Sequence, residues 1–448
     1  MVASKHAGTY PIMWWVIAVC LVVAAQPVMA EGFSSVFTMD ESSLEPDGFD
    51  LAGTAGFAFS YGFEAKGDSR VTALPALDLD LSWSNGENEV FAGLTLEPHA
   101  MDDTLQWDEV IDQLYLRRYF PWGRMEGGLM KREWGKGDGA HVVDPLNAMD
   151  QRYGILPDLN EMKIAEMMAS IQVQKGDSAL ELVYKPFFQP MRLSLTGDWA
   201  VVDASMASLI DADSVPDTHT LAYSQFAAHA RTIWGPADIG LIYYYGFLNQ
   251  PGYEILAVDP VTYYPTSVGL RYTQAQLFGG EAALAVGPFT IMLEGGFWLS
   301  EDSAGTEPSL YNHKFVYLAG FDFTVPKTAL FVSFLWNGQY ILGFDGLSAF
   351  DVDSLQSYDG KAHADTLILT LQLPLVDQRL ETRLTGMYQL ESSGYLIIGA
   401  CTWTPDDDLS LELSVNLYGA AQGDTAPQSV FKRWMDNDSA SIKLNYRF

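Results

Sequence analysis

The chain has 448 residues, of which 48% are apolar, 13% are aromatic and only 18% are charged. Its formal net charge of −32 excludes nucleic acid as a partner, because the phosphate backbone would repel it. Soluble proteins usually carry about 25% charged residues. So few charges in so apolar a chain favour an arrangement other than an apolar core enclosed by a polar surface that faces solvent.

The N-terminus has the three parts of a secretory signal peptide. Lys5 supplies a positive start, residues 12–25 form an apolar run, and Ala30 ends a stretch suited to cleavage. We therefore predict that residues 1–30 are a leader that is cut after Ala30. An uncleaved N-terminal membrane anchor is the alternative, since the run approaches the length of a spanning helix.

The rest of the chain, residues 31–448, is predicted to be one exported domain. It keeps a single cysteine, Cys401, which leaves no internal disulfide and no cysteine-based metal site. No apolar run after the leader reaches the roughly 18 residues of a spanning helix. An exported chain of this composition is either a periplasmic β protein or an outer-membrane β-barrel.

Apolar and polar residues alternate along this domain from end to end. In residues 77–83 leucines and a tryptophan alternate with aspartates and a serine, and residues 409–417 repeat the pattern. A period of two over about ten residues is typical of a tilted strand that crosses a bilayer. The pattern predicts eighteen strands, at 52–64, 71–83, 88–97, 108–119, 123–132, 165–175, 178–187, 218–234, 236–248, 267–285, 287–299, 312–324, 326–337, 365–375, 377–390, 393–404, 407–418 and 437–448.

The connections between these strands alternate in length. Every second one is a tight turn rich in Gly, Pro, Asp or Asn, whereas most of the others are long, such as 133–164, 188–217 and 338–364. Outer-membrane barrels have this arrangement, with tight periplasmic turns and extended external loops. The sequence therefore predicts an all-β fold, a transmembrane antiparallel up-and-down β-barrel of about 18 strands, with 16 as the alternative.

The third external connection, residues 133–164, carries a motif. Trp134-Gly135-Lys136-Gly137-Asp138, followed by Asp144-Pro145-Leu146-Asn147, resembles the W-G-x-G-[DE]…[DN]-P-[LV]-[ND] stretch of bacterial alginate-export-like and related outer-membrane porin families. The resemblance implies a large barrel, with eighteen strands in the alginate-export case. It also implies an inward-folded loop that narrows the pore. The residues that would anchor this loop are Trp134, Asp138, Asp144 and Asn147.

The C-terminus alternates strictly and ends in an aromatic residue. Ala440, Ile442, Leu444, Tyr446 and Phe448 share one face of the predicted last strand. This ending resembles the C-terminal signature that the barrel-insertion machinery recognises. We therefore expect Tyr446 and Phe448 to face outer-membrane lipid.

A barrel of about 16–18 strands is wide enough for an aqueous channel, so its selectivity would come from lumen-facing charges. Of the neighbours Arg117 and Arg118, one must point inward, because adjacent strand residues take opposite faces. Opposed charges either form a transverse field that favours polar solutes or neutralise one another. Alginate exporters are described by an arginine-rich channel, and the near-equal acids and bases here argue against a polyanionic cargo. The selectivity candidates are Arg124, Arg132, Arg231, Arg271, Arg379, Arg383, Glu126, Glu294 and Glu381.

The function predicted from these features is an outer-membrane porin for small polar solutes. One alternative is a plugged transporter for hydrophobic molecules, although only residues 31–51 precede the first strand. A surface-binding barrel or adhesin is the other. No Ser–His pair lies on a lipid-facing strand, so no catalytic residue is predicted, nor any cofactor or metal site. The expected partners are membrane lipid, the barrel-insertion machinery and a small solute.

Overall fold

The computed structural model describes residues 48–63, 71–97, 107–156, 159–376, 378–421 and 429–448. The predicted leader, residues 1–30, and its cleavage site lie outside the described residues.

The described residues form mainly β-strands, eighteen of which make one sheet. Two further strands, β10 and β11, pair only with each other in a separate hairpin. In chain order the strands are β1 (Gly48–Gly62), β2 (Val71–Ser84), β3 (Asn88–Leu96), β4 (Ile111–Phe120), β5 (Gly123–Met130), β6 (Glu166–Lys175), β7 (Ser178–Lys185), β8 (Gln225–Trp234), β9 (Ala237–Phe247), β10 (Gly252–Val258), β11 (Pro265–Arg271), β12 (Gln274–Val286), β13 (Phe289–Ser300), β14 (Lys314–Thr324), β15 (Phe331–Ile341), β16 (His363–Leu375), β17 (Leu380–Gln389), β18 (Gly394–Trp403), β19 (Leu409–Ala420) and β20 (Ser439–Arg447).

Helical structure among the described residues is confined to single turns in the connections. No described helix has the length and hydropathy needed to cross a membrane. The α-helical turns are α1 (Trp107–Val110), α2 (Ala204–Ala207), α3 (Val352–Gln356) and α4 (Val430–Arg433), and the 3₁₀ turns are Leu159–Met162, Ala212–Ser214, Leu221–Tyr223, Phe344–Gly346 and Met435–Asn437.

The sheet closes on itself through its first and last strands. β20 pairs antiparallel with β1, with Arg447 opposite Thr54 and Ser439 opposite Gly62. The final residue extends this pairing, because Phe448 and Gly53 exchange both backbone hydrogen bonds at 2.9 Å. Closure removes the exposed edges that an open sheet would present. The predicted fold class is confirmed, with eighteen barrel strands rather than sixteen.

The two ends of the barrel differ in the length of their connections. At one end, called here the turn end, the strands are joined by two to six residues. Gly235 and Gly287 each begin a two-residue turn with φ of +60° and are followed by proline, as a type II′ hairpin turn requires. At the opposite end, called the loop end, most connections are long, and the longest is 186–224.

The two faces of the wall differ in polarity, as the alternation predicts. Outward side chains are apolar and exposed, for example Leu182 at 47%, Phe278 at 50% and Leu413 at 49%. Their neighbours along the strands point into the lumen, where Glu181 and Thr370 are buried. Tyr446 and Phe448 share the outward face and are about half exposed.

Long connections fold back into the lumen and bury apolar side chains there. The first cluster packs Trp134 and Val143 of the β5–β6 connection against wall residues such as Tyr244 and Leu277. The second packs Trp434 of the β19–β20 connection, with other loop residues, against the wall. Its wall members run across seven neighbouring strands, from β13 to β19, and are Met292, Leu318, Leu335, Ile368, Met387, Leu396, Ile398 and Tyr418.

One strand prediction is wrong. Residues 267–285 were expected to form a single wall strand, but β11 ends at Arg271 and β12 begins at Gln274. Between them Thr273 is fully buried, and its carbonyl accepts the N–H of Leu248 at 2.9 Å. The hairpin alternates with the same period as a wall strand, so alternation alone does not separate the two.

We expect the outward face to be the one that tolerates charge least. Leu413→Arg places a guanidinium on the apolar outer face near the middle of β19 and should cost about 2–4 kcal/mol of unfolding free energy in lipid. The neighbouring Ser414→Arg points into the lumen and should cost under about 1 kcal/mol. Urea titrations of both variants refolded in vesicles measure the difference, and equal losses would contradict the assignment of faces.

Candidate functional site

The connection between β5 and β6, residues 131–165, is called the inward loop. It leaves the wall at the loop end and packs against side chains that point into the lumen from strands β6 to β14. Its path therefore lies inside the barrel. Residues 157 and 158 lie outside the described part of the loop.

Glu294, on the lumen face of β13, holds the inward loop. Its side chain is fully buried. It accepts backbone N–H bonds from Lys136 at 2.6 Å, Gly137 at 2.8 Å and Val142 at 2.8 Å. His141 Nδ1 lies 3.0 Å from the same carboxylate. Hydrogen bonds to an ionised, buried acceptor are about twice as strong as neutral ones, so this contact fixes the loop to a part of the wall distant from β5.

The first turn of the inward loop requires a glycine. Gly135 has φ of +114°, a backbone conformation that side-chain-bearing residues rarely adopt. A Cβ placed there would lie 2.3 Å from His141 Nδ1 and 2.5 Å from Glu294 Oε1. The glycine thus permits the close approach on which the Glu294 contacts depend.

Trp134 and Lys136 tie the loop to further wall strands. Trp134 is 3% exposed, and its indole N–H donates to Glu181 at 3.2 Å. The Lys136 ammonium lies 2.7 Å from Asp238 and 3.6 Å from the buried Glu281. Each anchoring carboxylate comes from a different strand, which spreads the attachment over β7, β9 and β12.

Asn147 joins the two ends of the inward loop. Its side-chain amide donates to the carbonyls of Met130 at 3.0 Å and Ile164 at 2.8 Å. Its side-chain oxygen accepts the N–H of Arg132 at 2.7 Å. These three bonds hold the start of the loop, at residues 130–132, beside its end at Ile164.

Two buried lysines stabilise the loop through ion pairs and hydrogen bonds to backbone carbonyls. Lys163 lies 2.5 Å from Asp144 and donates to the Arg132 carbonyl at 2.8 Å. Lys185, on β7, lies 2.7 Å from Glu166 and donates to the carbonyl of Leu146. A buried charge is tolerated only with such partners, so removing one member leaves the other uncompensated.

A cluster of arginines surrounds one carboxylate beside the loop. Glu126, on β5, is fully buried and contacts Arg117 and Arg132, with Arg124 Nε at 3.5 Å. Arg117 also reaches Glu89 at 3.0 Å. The carboxylate is out of reach of solvent, whereas the side chain of Arg124 remains 31% exposed. Arg117 is therefore the inward member of the Arg117/Arg118 pair.

A cavity of about 180 Å³ opens between this cluster and the inward loop. Its basic lining residues are Arg124, Lys131, Arg132 and Arg231, of which Arg231 is exposed. The Nε atoms of Arg124 and Arg132 are buried and have no hydrogen-bond acceptor among the described residues. The cavity thus has a basic lining in which the side chains of Arg124 and Arg231 keep solvent contact.

The structure places the other predicted residues apart from this cluster. Arg383 and Glu381 face the lumen from β17, near the turn end. Arg379 was expected on that strand but lies in the turn before it, where it donates to the Pro405 carbonyl at 3.0 Å. Arg271 was expected on a wall strand but ends the β10–β11 hairpin and donates to Ser309 Oγ at 3.4 Å.

The four predicted anchor residues differ in their contacts. Trp134, Asp144 and Asn147 are buried and make the hydrogen bonds and ion pair described above. Asp138 is exposed, and it lies close enough to Asp322 to repel that carboxylate. Its place in the motif is therefore not matched by a bond among the described residues.

Several residues that hold the inward loop were not among the sequence candidates. They are acids and lysines on lumen-facing strand positions or in the loop: Glu166, Glu181, Glu281, Lys163 and Lys185. Alternation alone assigns those on the strands to the lumen. Their loop partners come from distant parts of the chain, which no local pattern indicates.

Solved structures share this architecture. The chain aligns over 90% of its length with 99% of OccK10 (OpdN) from Pseudomonas aeruginosa, with 11% identity and a TM-score of 0.50. The barrel has the porin fold. The outer membrane channel DcaP of Acinetobacter baumannii aligns with 10% identity and a TM-score of 0.41, over 89% of this chain and 97% of that one. No protein-family model and no curated protein sequence matches the chain.

Neutralising Glu294 should loosen the inward loop. Glu294→Gln removes the charge that four donors share, and we expect a loss of about 2–4 kcal/mol of local stability. Hydrogen exchange of residues 135–143, followed by mass spectrometry, measures this loss. Glu381→Gln is the matched control, since it removes a lumen carboxylate with no described loop contact. Equal protection in the two variants would contradict the anchoring role.

The loop attachment should also weaken at alkaline pH. Burial alone lowers the pKa of His141, but the hydrogen bond and charge of Glu294 outweigh it, so the pKa is raised. Glu133, at 3.1 Å, and Asp144 act in the same direction. The stabilisation is full below the ordinary value of about 6.5 and is lost as pH rises through the raised pKa.

Protection factors for residues 135–143, corrected for intrinsic exchange, should therefore fall as the pH rises over the range above about 6.5. His141→Gln should abolish this dependence, whereas His363→Gln, which alters a histidine that packs at a tilt against Tyr340, should keep it. A wild-type profile that is flat over this range would refute the prediction.

Proposed function

We propose that this protein is an outer-membrane channel that passes small polar solutes through a lumen narrowed by the inward loop. The observation that carries this proposal is the attachment of a loop from β5 to Glu294 on β13. Strands β5 and β13 are six places apart in the closed sheet of eighteen, so the loop crosses much of the lumen. A wall with an apolar outer face and a charged inner one supports a water-filled interior.

The passage proposed for the solute lies to one side of the lumen. The described members of the two apolar clusters come from strands β5 to β19 and from the loops packed on them. None comes from β20, β1, β2 or β3. On that side Asp78 and Asp80 of β2 are exposed. We infer that solutes pass between these strands and the inward loop.

Acids and bases near the passage are not equally accessible. Glu126, Glu281 and Glu294 have fully buried carboxylates that hold arginines or the loop. Arg124 and Arg231 keep exposed groups beside the loop. Across the passage the accessible charges of β2 are acidic. Strand β20 adds the exposed bases Lys443 and Arg447 on that side, so a solute would meet accessible groups of both signs along the passage, which favours small polar molecules.

The orientation follows from the same proposal. The start of β1 and the end of β20 also lie at the turn end. This end would face the periplasm, and the loop end would face outward. Lipid would cover the outward leucines and aromatics, and the insertion machinery would bind the terminal strand through Tyr446 and Phe448. Export would depend on the predicted leader.

Single-channel recording in a planar bilayer with KCl tests the channel. Replacing residues 136–143 by a short Gly-Ser linker removes the Glu294 contacts and should raise the conductance about twofold or more, since the passage widens. The control replaces residues 259–264, the exposed tip of the β10–β11 hairpin, and should leave the conductance unchanged. Absence of conductance in all three proteins would refute the channel.

Charge substitutions test the assignment of the passage walls. Arg124→Gln and Arg231→Gln should each lower the anion-to-cation permeability ratio about two- to fivefold, because a charge near the ion path contributes about 0.5–1 kcal/mol. Asp80→Asn should raise the ratio. Arg379→Gln, in the turn, is the control and should change it less. Reversal potentials in a KCl gradient give the ratio, and no change in the first three variants would contradict this passage.

A further inference from the structure

A second pair of loops meets across the mouth of the barrel at the loop end. One segment, residues 198–203, belongs to the β7–β8 connection, and the other, residues 430–437, belongs to the β19–β20 connection. Their parent strands stand nearly opposite each other in the closed eighteen-stranded ring. The two segments are called here the strap. Any contact between them has to bridge the opening.

Polar contacts join the two halves of the strap. Arg433 Nη1 lies 2.6 Å from Asp203 Oδ1, and the side-chain amide of Asn437 donates to the Asp198 carbonyl at 2.9 Å. The Asp203 side chain is 65% exposed. Exposed ion pairs are weak and are screened by salt, so these contacts close the strap without locking it.

An aromatic cluster lies at the centre of the strap. The ring of Trp199 packs edge-on against Trp434 at 5.3 Å and Tyr418 at 5.6 Å. Tyr418 points into the lumen from β19, so Trp199 reaches the wall opposite its own strands. Gly154 of the inward loop lies beneath Trp199, where a Cβ would be 2.7 Å from the ring. The strap therefore rests on the inward loop.

One atom of this cluster has no hydrogen-bond partner in the part of the chain that the structure describes. Trp434 is 1% exposed, and its indole Nε1 has no hydrogen-bond acceptor among the described residues. Buried polar groups nearly always have a partner, and one without a partner destabilises the state that buries it. Opening of the strap would expose this N–H to water. The closed state is thus held by aromatic packing and opposed by the cost of the unpaired donor.

We propose that the strap is a lid over the external mouth of the channel, which opens about the contact between Trp199 and Trp434 to admit the solute. The inference rests on the proposed channel function. It adds that passage is controlled at two levels: the inward loop sets the width of the lumen, and the strap sets how often the mouth is open. The Arg433–Asp203 and Asn437–Asp198 contacts, called here the latch, are weak, and the indole N–H of Trp434 lacks a described partner. Together they keep the open and closed states accessible.

Cross-linking tests the lid directly. Asp203→Cys and Arg433→Cys are combined in a Cys401→Ser background and joined by a bismaleimide with a cleavable disulfide. The linked protein should stay in its lowest conductance level, and reductant should restore transitions to a higher level. Trp199→Ala should shift the open-to-closed ratio about tenfold or more towards open. Asp203→Asn alone should shift it about two- to fivefold.

The matched control is Asp359→Asn, which breaks the exposed Lys361–Asp359 pair at 2.8 Å in another long connection and should leave the ratio unchanged. Conductance that is identical with and without the cross-link would overturn the lid while leaving the channel intact. Absence of conductance in every variant would refute the channel, and the lid with it.

A distance measurement gives a readout that does not depend on conductance. Spin labels at Ser205 and Met435, which are exposed and outside the latch, report the separation of the two halves. Double electron–electron resonance should show two distances between the labels in the full protein, and the population of the longer distance should increase in Trp199→Ala. A single short distance in both proteins would refute the lid.

Discussion

The pairing of β20 with β1 is the constraint on which the rest of the structure depends. In lipid every backbone N–H and C=O needs a partner within the protein, so a sheet can span only if it has no free edge. The bonds between Phe448 and Gly53 meet that need with the last residue of the chain. Closure at eighteen strands also sets a lumen too wide for wall side chains to fill. The long connections then supply the side chains that occupy it.

Charge is divided between burial and exposure rather than simply balanced. Fully buried carboxylates such as Glu126 and Glu294 bind arginines and backbone N–H groups, and these contacts serve to position the arginines and the inward loop. A buried charge of this kind is stable only with its partners in place, which restrains the geometry of both. Arg124 keeps solvent contact. Near-equal numbers of acids and bases therefore do not make the accessible surface neutral.

The interior combines tight and weak attachments. The inward loop is fixed by hydrogen bonds to buried acceptors at both its base and its far side, through Asn147 and Glu294. The strap is fixed by an exposed ion pair and by edge-on aromatic contacts that leave one indole donor unpaired. Loops that move in proteins are those with low local stability. In this barrel a rigid constriction and a lid of low stability would occupy different depths.

The sequence by itself determined the barrel, because a strand with an apolar outer face and a polar inner face requires apolar and polar residues to alternate along the chain. The period of two placed Leu413 outside and Glu181 inside, and the sorting of short and long connections indicated the two ends. Only the tertiary structure separated the β10–β11 hairpin from the wall and showed that Arg271 ends this hairpin instead of lying on a wall strand, since both elements share one period. Only the structure also joined Gly137 to Glu294 and Asp203 to Arg433. Those residues lie far apart in sequence, and their contacts exist because the closed ring brings opposite strands to face one interior.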